Sequence, residues 1–435
     1  MSDDAPAVPT AVQAAGTAAR PSRGYRPLFA VPEFRFVFAA HAFSLLGVVI
    51  SEIALTVLVY DLTRSPLLSA LTFALGMLPY VVGGALLSGV ADRFPPRLVL
   101  VTCDLVCACC AALMALPATP VALLLALRCV ISAVSPVFSG TRMATLTDIL
   151  GDGDLFVLGR SLLRVLSQSA VMVGFGLGGI LLTLVPPRGA LCITLGTFLS
   201  SALLLRLGTG ERPARGTGQG AALLRYSLSG AREVFAHRRL RALLLLLWVP
   251  PMFEVAPEAL ATAYSDGIGA GTAGVGLLMC SMPIGTIAGE VYAGSRLSPG
   301  ARAAITLPLA SVLLLPLLGF ALDPGLVWAP VLLALTGLGS AYTLGLDRWF
   351  VDELPDGLRG RAMTVHTAGL MTIQGVGMAL AGAAAEFVPV SRVVMGAGVL
   401  GTLCCLLLVL EIRRTRPVPG KSGAGAGLPT DVTGR

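Results

Sequence analysis

The sequence predicts an all-α polytopic membrane protein with twelve transmembrane helices in two pseudo-symmetric six-helix halves. Three observations carry that expectation. The chain of 435 residues is 55% hydrophobic and 13% charged, with a mean hydropathy of +0.84, far more apolar than a soluble chain of this length needs to be. Nearly uncharged stretches of about 20 residues, the length that a hydrocarbon layer roughly 30 Å thick demands, recur from one end to the other. The second half then repeats the charge and glycine order of the first at an offset of 201 to 204 residues, as a parallel duplication does.

The twelve spans read at 34–60, 66–89, 98–117, 120–146, 159–184, 189–207, 241–264, 272–294, 302–322, 326–349, 360–384 and 389–411. Backbone groups in hydrocarbon have no water partner, so each span is a helix or part of a closed barrel. Continuous apolarity without period-two alternation excludes the barrel. Residues 1–33 form a cytoplasmic N-terminal segment rich in Ala, Pro and Arg, without the short apolar core of a cleavable signal peptide. The first six spans occupy 34–207, a polar cytoplasmic loop 208–240, the second six 241–411, and a Gly- and Pro-rich cytoplasmic tail, expected to be disordered, 412–435. Within the central loop, Ala221 to Arg239 alternates apolar and basic residues, as a helix lying on anionic lipids would.

Charge sets the orientation. With residue 1 cytoplasmic, 27 of the 31 Lys and Arg fall on cytoplasmic segments or helix ends. Arg64, Arg188 and Arg392 fall in outer loops, and Arg128 alone lies well inside a span. Both termini are therefore expected in the cytoplasm. The excess of Arg over the one lysine, Lys421, points to a GC-rich genome and hence to a bacterial inner membrane. The net charge of +7 is thus a matter of topology, and no long basic domain outside the membrane suggests nucleic acid. All nine cysteines lie in predicted spans. Cys103, Cys107 and Cys110 share a helical face, but no His accompanies them, so no metal or cofactor is expected. No phosphate-binding Gly-x-x-x-x-Gly-Lys-Ser/Thr loop and no enzyme signature is present, so no catalytic residue is named and a gradient is the expected energy source.

The duplication places Arg93 on Arg296, Asp148 to Asp152 on Asp352 to Asp356, Gly159-Arg160 on Gly360-Arg361, and Gly174 and Gly176 on Gly375 and Gly377. The stretch GVADRFPPR, Gly89 to Arg97, interrupts two apolar runs. Gly89 permits close helix approach and Pro95-Pro96 forces a stop. Asp92 can favour the positive end of a helix from the other half, while Arg93 and Arg97 can bond carboxylates such as Asp148. These residues, with Arg296 and Asp352 from the repeat, read as a gating latch.

A charge at the bilayer centre costs at least about 2.5–3.5 kcal/mol, so Glu52, Arg128, Glu254 and Glu258 need a function. Glu254 and Glu258 lie one turn apart and are expected to face one way. Pro250, Pro251 and Pro257 surround them, which predicts a kinked or unwound seventh span. A carboxyl in low dielectric can exchange a proton as a cavity alternates. His41 and His366 are titratable candidates or hydrogen-bonded packing residues, and Gln168 and Gln374 line the cavity or bridge helices.

GVADRFPPR resembles the loop motif Gly-x-x-x-Asp-Arg-x-x-Arg between the second and third helices of the major facilitator superfamily. With LTVLVYDLTRSPL before it and LVLVTCDLV after it, the segment is similar to the twelve-helix branch containing macrolide and siderophore exporters. The likeness extends over nearly all of 34–411. It implies the major facilitator fold, a monomer, and a role for Asp92, Arg93 and Arg97 in locking the halves in an outward-open state. Arg128 in ALRCVISAVS occupies the position of a fourth-helix arginine implicated in proton coupling, with Ser132 and Val134 where glycines are usual. Gly174-Phe-Gly-Leu-Gly178-Gly179 resembles the antiporter signature Gly-Pro-x-x-Gly-Gly, with Phe175 in place of proline. Ser295 stands where an aspartate is expected before Arg296, so the latch is expected to be one-sided. The implied function is proton-coupled efflux of a small amphipathic drug or secondary metabolite, with a small-molecule substrate, protons and membrane lipids as partners. Uptake by symport and a non-transporting membrane sensor are the alternatives.

Overall fold

The computed structural model describes residues 26–415 apart from 92, 152–153, 215–231, 233 and 356–358. Among the described residues there is no strand, and 12 helices are long and apolar enough to cross a membrane. They are α1 (Pro32–Thr63), α2 (Pro66–Ala91), α3 (Pro96–Ala115), α4 (Val121–Leu150), α5 (Asp154–Leu184) and α6 (Pro187–Gly208) in the first half. The second half holds α7 (Arg238–Ala259), α8 (Gly271–Arg296), α9 (Pro299–Val312, continued by a 3-10 turn, Leu315–Leu322), α10 (Trp328–Gly339, then Ser340–Tyr342 as 3-10 and Thr343–Glu353), α11 (Arg359–Ala385) and α12 (Val390–Arg414).

Proline sets many of the starts. It stands first in α1, α2, α3, α6 and α9, where its fixed φ suits the helix and its missing N–H is no loss. In α9 the Ser298 hydroxyl also accepts from the Ala301 N–H, a regular N-cap. Large side chains such as Leu207, Val291 and Leu407 stay exposed, because the solvent for these faces is lipid rather than water.

Within the first half α1 packs on α5 and α6, α3 on α4 and α6, and α2 on α4. Within the second, α7 packs on α11 and α12 and α8 on α10. The repeat is visible at atomic scale. A Cβ on Gly83 of α2 would collide with the Ala133 carbonyl of α4, and a Cβ on Gly285 of α8 with the Ala334 carbonyl of α10, two crossings about two hundred residues apart in the chain.

The halves meet along α2 with α11 and along α5 with α8. Because the number of spans is even, both described ends lie on one side, called here the terminal face. The α5–α8 crossing is the closest approach, since a Cβ on Gly179 would lie 2.6 Å from the Cα of Gly276. Gly174 and Gly178 admit Val49 and Ile53 of α1 on another face of α5. Glycine at such crossings is how membrane helices gain van der Waals contact when lipid supplies no hydrophobic drive.

Irregular backbone falls elsewhere than expected. The α7 helix runs on through Pro250, Pro251 and Pro257, breaks at Leu260, and resumes as a short helix, Ala261–Gly267. The tightened 3-10 turn at Ser340–Tyr342 in α10 has no counterpart in the sequence expectations; Gly337 and Gly339 precede it. Most of Ala221 to Arg239 lies outside the described residues, though Phe235 packs against Trp248 at 5.9 Å.

Gly179→Leu is expected to lower the unfolding midpoint of the purified protein, by the 1–3 kcal/mol or so that overpacking costs. The same change at Gly196, where a Cβ meets nothing within 4 Å, is expected to leave the midpoint unmoved. Tryptophan fluorescence during heating reads both.

Candidate functional site

Inside the bundle, Arg128 of α4 reaches Glu52 of α1, Nη2 to Oε1, at 2.5 Å. Its Nε donates to the Thr72 carbonyl at 3.2 Å. The guanidinium occupies the space that a side chain at Gly76 of α2 would fill, and Ser132 donates to the Gly76 carbonyl at 2.6 Å. Three helices thus hold one buried ion pair, whose side chains are 6% and 18% exposed. From the other half, Glu258 of α7 lies close enough to Glu52 for the two carboxyls to act on each other electrostatically. The buried ion pair of the first half thus lies within electrostatic reach of one acid of the second.

Glu254 takes a different partner. It accepts from the Ser340 hydroxyl at 3.2 Å, at the 3-10 turn of α10 inside the second half. The two acids expected to act together are thus divided between an internal bond and the space between halves. His41 is buried between Arg142, which donates to its Nδ1, and Ser167, 3.2 Å from its Nε2. His366 packs beside Phe350 at 6.2 Å, and its carbonyl accepts from the Trp248 indole at 3.0 Å. Gln374 is half-buried on α11, and the side chain of Gln168 lies outside the described residues.

Two buried charged groups escaped the sequence reading. Asp104 of α3, 1% exposed, accepts from Ser44 at 3.2 Å and Ser201 at 2.5 Å. Its signal was in plain view, an acid within the apolar run LVTCDLV. Arg142 was counted among cytoplasmic helix ends, but the structure places it two turns inside α4 with its Nε buried. Arg128 is therefore not alone within a span.

Asp92 of the predicted latch lies outside the described residues, and Gly89 sits in the last turns of α2. Arg93 is exposed. Arg97 pairs with Glu211 at 3.3 Å and donates to the Arg206 carbonyl, instead of reaching Asp148. The loop after α6 comes between them: Arg212 from that loop lies 3.8 Å from Asp148 and donates to Glu33 at 2.6 Å. Asp352 pairs with Arg348 of its own helix at 3.5 Å, and Arg296 is exposed at the end of α8. The side-chain partners named here for Arg97 and Asp148 lie in the central loop just after α6, and that of Asp352 in its own helix; none lies in the opposite half.

The halves are instead joined on the opposite face. Asp266, in the short helix after α7, receives Arg64 at 3.3 Å and the Tyr60 hydroxyl at 3.4 Å. Glu386, just beyond α11, receives the Ser65 hydroxyl and the Leu67 N–H, the latter at 3.0 Å. Among the described residues, all hydrogen bonds between halves lie on this face.

Twelve helices in two repeated halves, with buried charges converging between them, define a secondary transporter of the rocking type. The chain matches the Major Facilitator Superfamily over residues 37–347, and it belongs to that family. No curated protein sequence matches it. Among solved structures it is similar to an auto-inhibited POT family peptide transporter, with TM-score 0.66 and 13% identity over 90% of this chain and 99% of that one. It is similar also to a nucleoside transporter, with TM-score 0.64 and 16% identity over 87% and 99%. A third is a bacterial homolog to the human lysosomal transporter Spinster, with TM-score 0.57 and 15% identity over 88% and 95%. At these identities the likeness is one of fold.

Arg128→Gln is expected to destabilise the protein by about 3–5 kcal/mol, because it strands a buried carboxylate. Arg128→Gln with Glu52→Gln is expected to recover much of that loss. Chemical unfolding of the two variants in one detergent tests the coupling.

Proposed function

We propose that the chain is a proton-coupled exporter of a small amphipathic drug or secondary metabolite, working by alternating access in a bacterial inner membrane. The observation that carries this reading is the buried ion pair of Arg128 with Glu52 in one half, with Glu258 of the other half near enough for Glu52 to act on it electrostatically. Arg128 balances one carboxylate. A second negative charge in the same enclosure is balanced by a proton or by a cation on the substrate, and exchanging one for the other couples the two fluxes. The terminal face is taken as cytoplasmic, which makes the state described here inward-open, with the bonds to Asp266 and Glu386 closing the outside. Central-loop partners for Arg97 and Asp148, in place of partners from the opposite half, suit that state, since the latch of the resembling family engages when the halves close inside.

A second reading, symport, is favoured by Phe175, which stands where the antiporter signature has proline. It is buried within an unbroken α5.

Inside-out vesicles with an acid lumen separate the two. A panel of antibiotics, siderophores and dyes is added while a fluorescent dye reports lumenal pH. An exported compound is expected to dissipate the gradient in the wild type and at least tenfold more slowly in Glu258→Gln or Glu52→Gln, while Glu254→Gln, bonded within its own half, retains most of the response. If compounds instead accumulate in right-side-out vesicles with acid outside, export fails and symport replaces it.

A further inference from the structure

We propose that Arg142 binds the carboxylate, or an equivalent singly charged oxyanion, of the molecule carried. This assignment rests on the transport reading above and adds a substrate class to it: organic monoacids, including zwitterions, with an apolar body.

The argument begins with helix geometry. Arg128 and Arg142 are fourteen residues apart on α4, within about 40° of a whole number of turns, so they share one face. His41 and Glu52 are eleven residues apart on α1, within about 20° of a whole number of turns, and share a face likewise. The two helices therefore carry two Arg-to-partner contacts in line, Arg128 with Glu52 inside the bundle and Arg142 with His41 deeper toward the terminal face.

The two contacts differ in charge. Arg128 meets a carboxylate. Arg142 meets an imidazole, and since it donates to Nδ1, that nitrogen carries no proton and the ring is the neutral tautomer that offers its Nε2–H to Ser167. Among the described residues no Asp or Glu oxygen lies within 4.0 Å of Arg142. Asp104 is near enough to interact electrostatically, but the bonds its oxygens accept come from Ser44 and Ser201 and not from Arg142. The Nε–H of Arg142 is buried with no partner, and an unsatisfied buried donor on a charged group is costly.

The surroundings define what would fill that vacancy in the bonding. The Phe138 ring lies 5.4 Å from the guanidinium carbon, and Tyr80 of α2 faces the same group. A planar fork flanked by rings suits a carboxylate attached to an apolar or aromatic body. A single unpaired positive charge suits one negative charge, not several. Arg142 is half-buried, on the side where no hydrogen bond between halves is found among the described residues, so a ligand entering from the terminal face meets it before it meets Glu52.

The test uses the full-length protein in detergent and a matched pair of probes, 3-phenylpropionate and 3-phenylpropionamide, which differ in charge and hardly in shape. Tryptophan fluorescence during thermal unfolding reads binding. The acid is expected to raise the midpoint in the wild type and to act at about tenfold or more lower concentration than the amide, the discrimination one charge-assisted bond supplies. Arg142→Gln is expected to abolish that preference, and Arg142→Lys, which keeps charge without the fork, to weaken it several-fold. No shift with the acid, equal shifts with acid and amide, or a preference that survives Arg142→Gln would each overturn the assignment. Should Arg142→Gln fail to fold, the wild-type pair and the lysine variant still decide. Acid preference in a protein that moves neither protons nor any probe in vesicles would overturn the transport reading alone, whereas flux without acid preference would overturn Arg142 alone.

Discussion

Helices immersed in hydrocarbon gain little by hiding apolar side chains from a solvent that is itself apolar, so what joins two halves must be close backbone approach and a few polar bonds. Here both are confined to small places. Gly179 and Gly276 let α5 and α8 touch, and Gly375 and Gly382 admit Leu78 and Ala70 of α2 against α11. The polar bonds gather at and beside the two-residue turn between α1 and α2, where Tyr60 and Arg64 reach Asp266 and Ser65 and the Leu67 N–H reach Glu386. Arg64 adopts φ 53 to do so, a left-handed conformation that costs a non-glycine residue on the order of 1–2 kcal/mol. Its side chain is 64% exposed and that of Asp266 53%, so the ion pair returns about 1 kcal/mol at most. On this face the ion pair therefore adds little to what the packing of α2 on α11 and of α5 on α8 supplies.

The interior of each half is built to the opposite standard. Thr56 and Thr72 bond each other at 2.5 Å, Ser132 satisfies the Gly76 carbonyl, and Asp104 takes two hydroxyls. On the second half Tyr342, fully buried, donates to the Leu246 carbonyl at 3.2 Å. Unpaired polar groups are expensive where water is absent, and satisfied ones make a half move as one body. Rigid halves and a breakable seam between them follow from the same energetics applied at two depths.

The span count and the internal repeat were legible in the sequence because both depend on patterns that survive without coordinates: apolar length, and the order of charges and glycines. Glu52 and Arg128 were legible as individuals, since no lipid-facing role accommodates them. Depth was not legible. Arg142 and Asp266 stand near helix ends, where a charge solvated by headgroups and a charge committed to a neighbour look identical along the chain. The same holds for Arg97, whose partner depends on a loop from beyond α6 that brings Glu211 nearer than Asp148. The 3-10 turn in α10 was hidden as well, because Gly337 and Gly339 serve helix packing as readily as a change of helix type, and the Ser340 bond to Glu254 is the use the turn makes of its place.

The division between Glu254 and Glu258 bears on how coupling could work at all. Four residues separate them on α7, so their side chains leave the helix about 40° apart and one turn displaced. That small rotation turns one toward α10 and the other toward α1. A carboxyl bonded to Ser340 keeps its surroundings when the halves rock, because α7 and α10 travel together. A carboxyl that feels Glu52 from across the seam would not keep that neighbour, because α1 belongs to the other half. A ligand or proton can bias a two-state equilibrium only by as much as its free energy differs between the states. Of the two acids, Glu258 is the one whose neighbours change with the motion, and that is the physical ground for assigning coupling to it over the equally buried acid one turn away.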